Sequence, residues 1–218
     1  MSLTLYAHPF SSYCQKVTIA LYENATPFGL RMVNFGDAES MREFAGVWPM
    51  KRMPVLVDDG RPVMESSVII EHLGLHHPGP VRLLPADPKA ALDVRFMDRF
   101  FDNYVMTPMG RIVFDRMRPP EASDAKTVTE SRALLDGAYG WLDARMAGRE
   151  WAAGDFSLAD CAAAPSLFYA DWVHPIGEAF PNVRAYRRRL LARPSFGRAV
   201  EEGRQYRGFF PGGAPDRD

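Results

Sequence analysis

The chain has 218 residues, with 26 Lys+Arg against 27 Asp+Glu for a formal net charge of -1, and 47% hydrophobic and 24% charged residues. So even a balance excludes a general nucleic-acid or membrane-surface binder, which needs a concentrated basic excess, and no apolar run reaches the length of about 18 residues that a membrane span requires. Two cysteines, Cys14 and Cys161, are too few for a disulfide scaffold or a zinc site of standard spacing; with no basic-then-apolar leader in "MSLTLYAHPF", a cytoplasmic, reduced protein is expected.

In chain order, "LTLYAH" alternates Leu3 and Leu5 against Thr4 and Tyr6, the period of a short strand. From Tyr13 to Asn24 the period becomes helical through Val17, Ala20 and Leu21, with Asn24 as the stop. "FGLRMVNF" reads as a second strand and "AESMREFAGVW" as a short helix. In "PVLVDDGRPVME" two apolar strands flank Asp59-Gly60, a dipeptide suited to the positive φ angles of a tight hairpin. Ser66 and Ser67 then offer caps to a helix through "VIIEHLGLHH". The order βαβαββα describes a four-stranded mixed sheet with helices on its faces, its βαβ half parallel and right-handed.

The prolines and glycine of "HHPGPVRLLPADPKAA" sustain neither period, so residues 77–87 read as a linker between a unit spanning 1–76 and one spanning 88–218. Asp87-Pro88 reads as an N-cap followed by proline at the first helical position. Beyond it the chain is almost wholly helical, over roughly 88–117, 124–147, 157–172, 182–193 and 195–204. Ser157 and Asp160 are spaced as a capping-box variant, with Phe156 placed to staple onto Cys161, and the tail "GGAPDRD" is expected to fray.

The chemistry concentrates in "HPFSSYCQKV". Ser11-Ser12-Tyr13-Cys14 has the frame of a two-cysteine redox motif at a helix start, with a hydroxyl in place of the attacking sulfur. An unactivated hydroxyl is a very weak nucleophile, which rules out disulfide exchange here. It can, however, donate a hydrogen bond to a thiolate brought in by a ligand, while the helix N-terminus adds its partial positive charge. Lowering a bound thiol's pKa by about one to two units needs roughly 1.4–2.8 kcal/mol of preference for the ionised form. The plainer reading is that Ser11 or Ser12 only caps the helix. Cys14 reads as a buried small hydrophobe. Pro54 in "WPMKRMPVL" directly precedes a buried strand, where a cis peptide bond is a deliberate feature, and Glu65-Ser66 in "MESSVII" stands at a helix start suited to a carboxylate.

Together, in this order, these stretches resemble the cytosolic glutathione S-transferases of serine type. The resemblance runs over about residues 3–204 and takes in "LLPADP", "GDFSLADCAAAPSL" and "FPNVRAYRRRLLARPSFGRA". It implies an α/β thioredoxin-like N-terminal domain plus an all-α C-terminal domain, and glutathione as co-substrate, with neither metal nor nucleotide. By position, Ser11 would activate the thiol, with Ser12 and Tyr6 as alternatives. Met53 before Pro54 would pair its backbone with the cysteinyl part, Glu65 and Ser66 would hold the γ-glutamyl end, and Lys51 or Arg52 would reach the glycyl carboxylate. Lys51-Arg52 stands where the family more often has Gly-Lys, and Trp48 where it has Asn.

The implied reaction is attack of the glutathione thiolate on a small, electrophilic, partly apolar substrate. The same site could serve a glutathione-dependent isomerase, dehalogenase or ether-cleaving lyase, or a non-catalytic binding protein. A homodimer with no nucleic-acid or membrane partner is implied. Phe10, Tyr104, Met106, Met109, Arg111 and Trp172 are candidates for the second-substrate walls. The run "RAYRRRLLAR" reads as a solvated helix face, and His76-His77 as linker residues without further ligand partners, so no metal site is expected.

Overall fold

A computed structural model describes residues 2–218. Strands β1 (Leu3–Ala7) and β2 (Gly29–Met32) are parallel and joined through α1 (Ser12–Glu23). β1 also pairs antiparallel with β3 (Val55–Asp58), and β3 with β4 (Arg61–Met64), giving the sheet order β2-β1-β3-β4. Asp59 and Gly60 both have positive φ, 45° and 85°, as the hairpin needs. Strand alternation sends Leu3, Leu5, Ala7 and Leu56 into the main core, with α1 and α3 (Ser66–His76). Tyr6 and Val55 face the other way, onto Phe44 of α2 (Ala38–Val47).

The helical half begins with α4 (Pro88–Phe100), capped by Asp87 as expected, and α5 (Thr107–Arg116). The expected single helix over 88–117 is continuous but widens into a π turn at 101–106. Pro108 has no N–H to offer the Tyr104 carbonyl, and the turn before it opens so that the Thr107 N–H donates to Asp102 O, five residues back. α6 (Ala125–Met146), α8 (Pro181–Leu191) and α9 (Pro194–Gly203) complete the helical half, and α7 (Leu158–Val173) is its central helix, buried on every side and packed against α1, α4, α5 and α8. The Ser157–Asp160 capping box is formed.

Three local expectations need correction. Ser66 and Ser67 do not cap α3: its N-cap is Glu65, and Ser67 turns inward onto a charged cluster. The tail is pinned rather than frayed, because Asp218 pairs with Arg204 (2.7 Å) and Arg207 (2.8 Å) and Arg217 pairs with Asp171. The arginine run is not wholly solvated either. Arg187 lies inside against Asp171 at 3.3 Å, and Arg193 lies over the Phe156 ring while pairing with Glu23 at 2.6 Å.

The stretch after α3 is tied to α1, since the Val81 N–H donates to Asn24 Oδ1 at 2.8 Å. A Cβ on Gly79 would come within 2.5 Å of the Asn24 side chain. Gly79→Ala is therefore expected to displace Asn24 and cost about 1–3 kcal/mol, read from the urea midpoint. Gly74→Ala, where a Cβ would meet nothing within 4 Å, should instead be neutral or stabilising by up to about 1 kcal/mol.

Candidate active site

The sheet register sets the site. Tyr6 stands beside Val55, and Val55 beside Met64, so the chain leaves β1, enters β3 and leaves β4 at one sheet edge. The segments just beyond those positions are His8–Ser11, Met53-Pro54 and Glu65-Ser66. Elements distant in sequence thus deliver their motif residues to a common place.

Ser11 is the N-cap of α1, with extended φ/ψ of −90° and 125°, and its N–H donates to the His8 carbonyl at 2.9 Å. Its hydroxyl makes no helix-capping hydrogen bond, and it acts to lower the pKa of the neighbouring Cys14 thiol. Ser12 occupies the first helical position, half-buried. The first turn of α1 carries no acidic residue of its own. Cys14 is buried, and burial pushes its thiol up to about 11, so no thiolate forms there at neutral pH. Tyr6 is turned away: its hydroxyl donates to Glu43 at 3.0 Å, and burial and that bond raise its pKa. The Tyr6 hydroxyl is thus engaged with α2.

The Met53-Pro54 bond is cis, with Pro54 buried and Met53 half-buried. Lys51 (φ 52°) and Arg52 are exposed in the preceding turn, which is closed by the Lys51 N–H donating to Trp48 O at 2.9 Å. Glu65 adopts φ 68° and ψ 118°, a costly conformation for a side-chain-bearing residue, and its carboxylate caps nothing. Ser66 follows, buried, at the head of α3.

Beneath these segments lies a cluster that sequence reading missed. Lys16 Nζ, fully buried on α1, reaches Asp98 at 2.6 Å, Asp102 at 2.9 Å and Ser67 Oγ at 3.0 Å. Ser67 Oγ in turn donates to Asp98 at 2.8 Å, and half-exposed Arg99 covers both carboxylates from outside. Burial raises the Asp102 pKa and, helped by the Asp102 charge, pushes the Tyr13 phenol up to about 12. A signal existed: Asp98 and Asp102 are spaced i, i+4 in line with Val94 and Val105, on a face that is otherwise apolar.

The candidate wall residues are not gathered in one place. Phe10 and Trp172 meet, with ring centroids 6.2 Å apart, and both pack against Phe210. Tyr169 donates to the Phe10 carbonyl at 3.2 Å and closes this aromatic group. Met106 and Met109 are buried in the core, whereas Tyr104 and Arg111 are exposed on the long helix. Open space lies instead on the α9 side of the β1–α1 loop, a cleft of about 400 Å³ lined by His8, Pro9, Tyr22, Met32, Arg198 and Tyr206. Burial lowers the His8 pKa, and its Nδ1 accepts the Phe10 N–H at 3.1 Å, so a neutral ring faces the cleft. Sequence reading passed over His8.

Residues 5–81 match the family model for the glutathione S-transferase N-terminal domain, and residues 105–194 that for the C-terminal domain. A glutathione S-transferase from Methylobacterium radiotolerans, solved in complex with glutathione sulfonate, is 31% identical, with 92% of this chain and 95% of that chain covered and a TM-score of 0.77. One from Methylobacillus flagellatus with glutathione bound is 25% identical over 91% of this chain and 98% of that chain, with a TM-score of 0.83. FtsZ-localized protein A of Caulobacter vibrioides is 28% identical over 207 residues, 88% of each chain. Two family models in the right order, and a relative similar from end to end, agree with the sheet-edge geometry: the chain belongs to the glutathione S-transferase family.

Proposed function

We propose that the protein is a glutathione transferase in which Ser11 holds the glutathione thiol as thiolate beside the positive end of α1. The observation that carries this reading is the convergence, at one sheet edge, of a serine that does not cap its own helix, a cis-proline turn and a strained Glu65-Ser66 pair. Met53 would offer its backbone to the cysteinyl unit, Glu65 and Ser66 would hold the γ-glutamyl end, and Lys51 or Arg52 the glycyl carboxylate. Ser12 is the alternative donor. The electrophile would enter by the cleft at His8, whose apolar floor and Arg198 suit a partly apolar molecule. Catalysis then consists of thiolate stabilisation and the positioning of two reactants. The exposed apolar side chains of α4 and α5, among them Leu92, Phe96 and Phe114, are proposed to form a homodimer interface, and the protein to work in the cytoplasm, in detoxification.

Ultraviolet titration of the bound thiolate tests this. Native protein should bind glutathione with a thiol pKa about one to two units below its free value, and Ser11→Ala should return most of that shift. A depression that survives in Ser11→Ala moves the role to Ser12; no binding overturns the reading. One observation favours a second reading, a binding protein without turnover: Phe10 and Trp172, expected to wall the second substrate, are packed against Phe210. In that case the depressed pKa would be seen, with no conjugation of any electrophile tried.

A further inference from the structure

A second group of ligand-type side chains lies at the other end of the thioredoxin-like unit. β3 starts next to cis-Pro54 and runs away from the glutathione site to Asp58, and α3 starts at Ser66 and runs the same way to His76. An 11-residue helix is about 16 Å long, so the far ends of β3 and α3 form a separate locus. There His72 Nε2 lies 2.8 Å and His77 Nε2 2.7 Å from the same oxygen, Asp58 Oδ2. The linker residue His77, read from sequence as having no partner, thus has two.

We propose that Asp58, His72 and His77 bind a divalent transition-metal ion of borderline softness, of the zinc class, with His76 available as a fourth donor. Two imidazole nitrogens and a carboxylate oxygen are a complete protein ligand set for such an ion when one position stays open to water. Their donor atoms all lie within 4.8 Å of one another, and each of the three side chains is 14% exposed, sheltered but reachable. Donors held at about 2.0–2.2 Å from a zinc ion are roughly 3.3 Å apart, so the nitrogen–oxygen spacings need open by well under 1 Å. His77 sits at the C-cap of α3, outside the regular helix. The His76 ring is exposed and centred 4.4 Å from that of His72.

The neighbouring charges leave the set available. Glu71, next to His72, is held by Arg95 at 2.7 Å, and Arg61, paired with Asp58 across the hairpin, has its side chain in solvent. One imidazole would suffice to tie α3 to β3. A second on the same oxygen adds little to such a tie, but it completes a metal triad. A bound ion would clip the end of α3 and the start of the linker to β3, stabilising the fold by mass action without touching the glutathione site.

The test uses untagged, chelator-treated protein, titrated with cobalt(II) as a visible-absorption probe and with zinc(II) in thermal unfolding. One equivalent of cobalt should give d–d bands that zinc abolishes, and zinc should raise the melting temperature. His77→Ala, outside the regular helix, and Asp58→Asn should each weaken binding by roughly 100-fold or more, and His76→Ala by about tenfold or less. Far-UV circular dichroism establishes that each variant is folded. No bands and no thermal shift in the native protein would overturn the proposal. So would bands that persist unchanged in folded His77→Ala, which would put the ion elsewhere.

Discussion

Lys16→Met is expected to lower the unfolding free energy by about 3 kcal/mol, a large share of a typical domain's stability. The methionine fills the space of the lysine stem, so the loss is electrostatic: Asp98 and Asp102 stay buried without their ammonium partner, and Ser67 loses a donor. Removing one side of a buried ion cluster costs about 3–5 kcal/mol. The lower end applies because Arg99 still reaches both carboxylates, at 2.7 and 2.6 Å, from a half-exposed position. The deficit has a pH signature. A carboxyl whose pKa is raised by folding, as burial raises that of Asp102, contributes stability that is present below its unfolded value near 3.9 and lost as pH rises through the folded one. Without Lys16 the Asp102 carboxyl moves further up, so the gap between Lys16→Met and native protein should narrow as pH falls from neutral. Urea unfolding at several pH values measures this, and adding Asp98→Asn and Asp102→Asn should recover most of the loss. A deficit under about 1 kcal/mol would mean that apolar packing and Arg99 suffice to hold α1, α3 and α4 together.

Asp160→Ala is expected to cost about 3–5 kcal/mol. The carboxylate is fully buried and forms no salt bridge among the described residues, Arg193 being a cation that feels its charge. It accepts from the Ala152 N–H at 3.0 Å, the Ser157 N–H at 2.9 Å, Ser157 Oγ at 3.2 Å and the Tyr186 hydroxyl at 2.5 Å. Burial pushes its pKa up while these donors pull it back. Alanine would strand four buried donors, each costing about 1–3 kcal/mol unmade, a sum that partial relaxation brings down. Asp160→Asn keeps one acceptor oxygen but turns an amide N–H toward donors, so it should cost about 2 kcal/mol, and Tyr186→Phe about 1 kcal/mol. Thermal unfolding of the three variants should reproduce that order. Equal losses for Asp160→Asn and Asp160→Ala would show that charge, not acceptor count, is what the cap requires.

Much of this architecture is local and therefore legible. The Asp59-Gly60 turn, the Asp87-Pro88 helix start and the Ser157–Asp160 box each depend on residues within a few positions of one another. Apolar periodicity likewise reports which face of a strand or helix is buried, as the seating of Val17, Ala20 and Leu21 in the core bears out. The motif residues of the candidate site were legible for the same reason: Ser11, Pro54 and Glu65-Ser66 each mark a turn or helix end through their own backbone preference.

The amino-acid order by itself thus determined the elements, their sequence and the points where chain reversals carry unusual residues. Tertiary structure alone decided what those residues face. It sent Tyr6 to Glu43, packed Phe10 and Trp172 under Phe210, and set Lys16 between two aspartates more than 80 positions away. It also brought Asp58 to His72 and His77. The physical reason is one of range. Backbone preference and hydrophobic period act over a turn or two, whereas the partner of a charge, a hydroxyl or an imidazole is chosen by burial cost, which is known only once distant segments have packed.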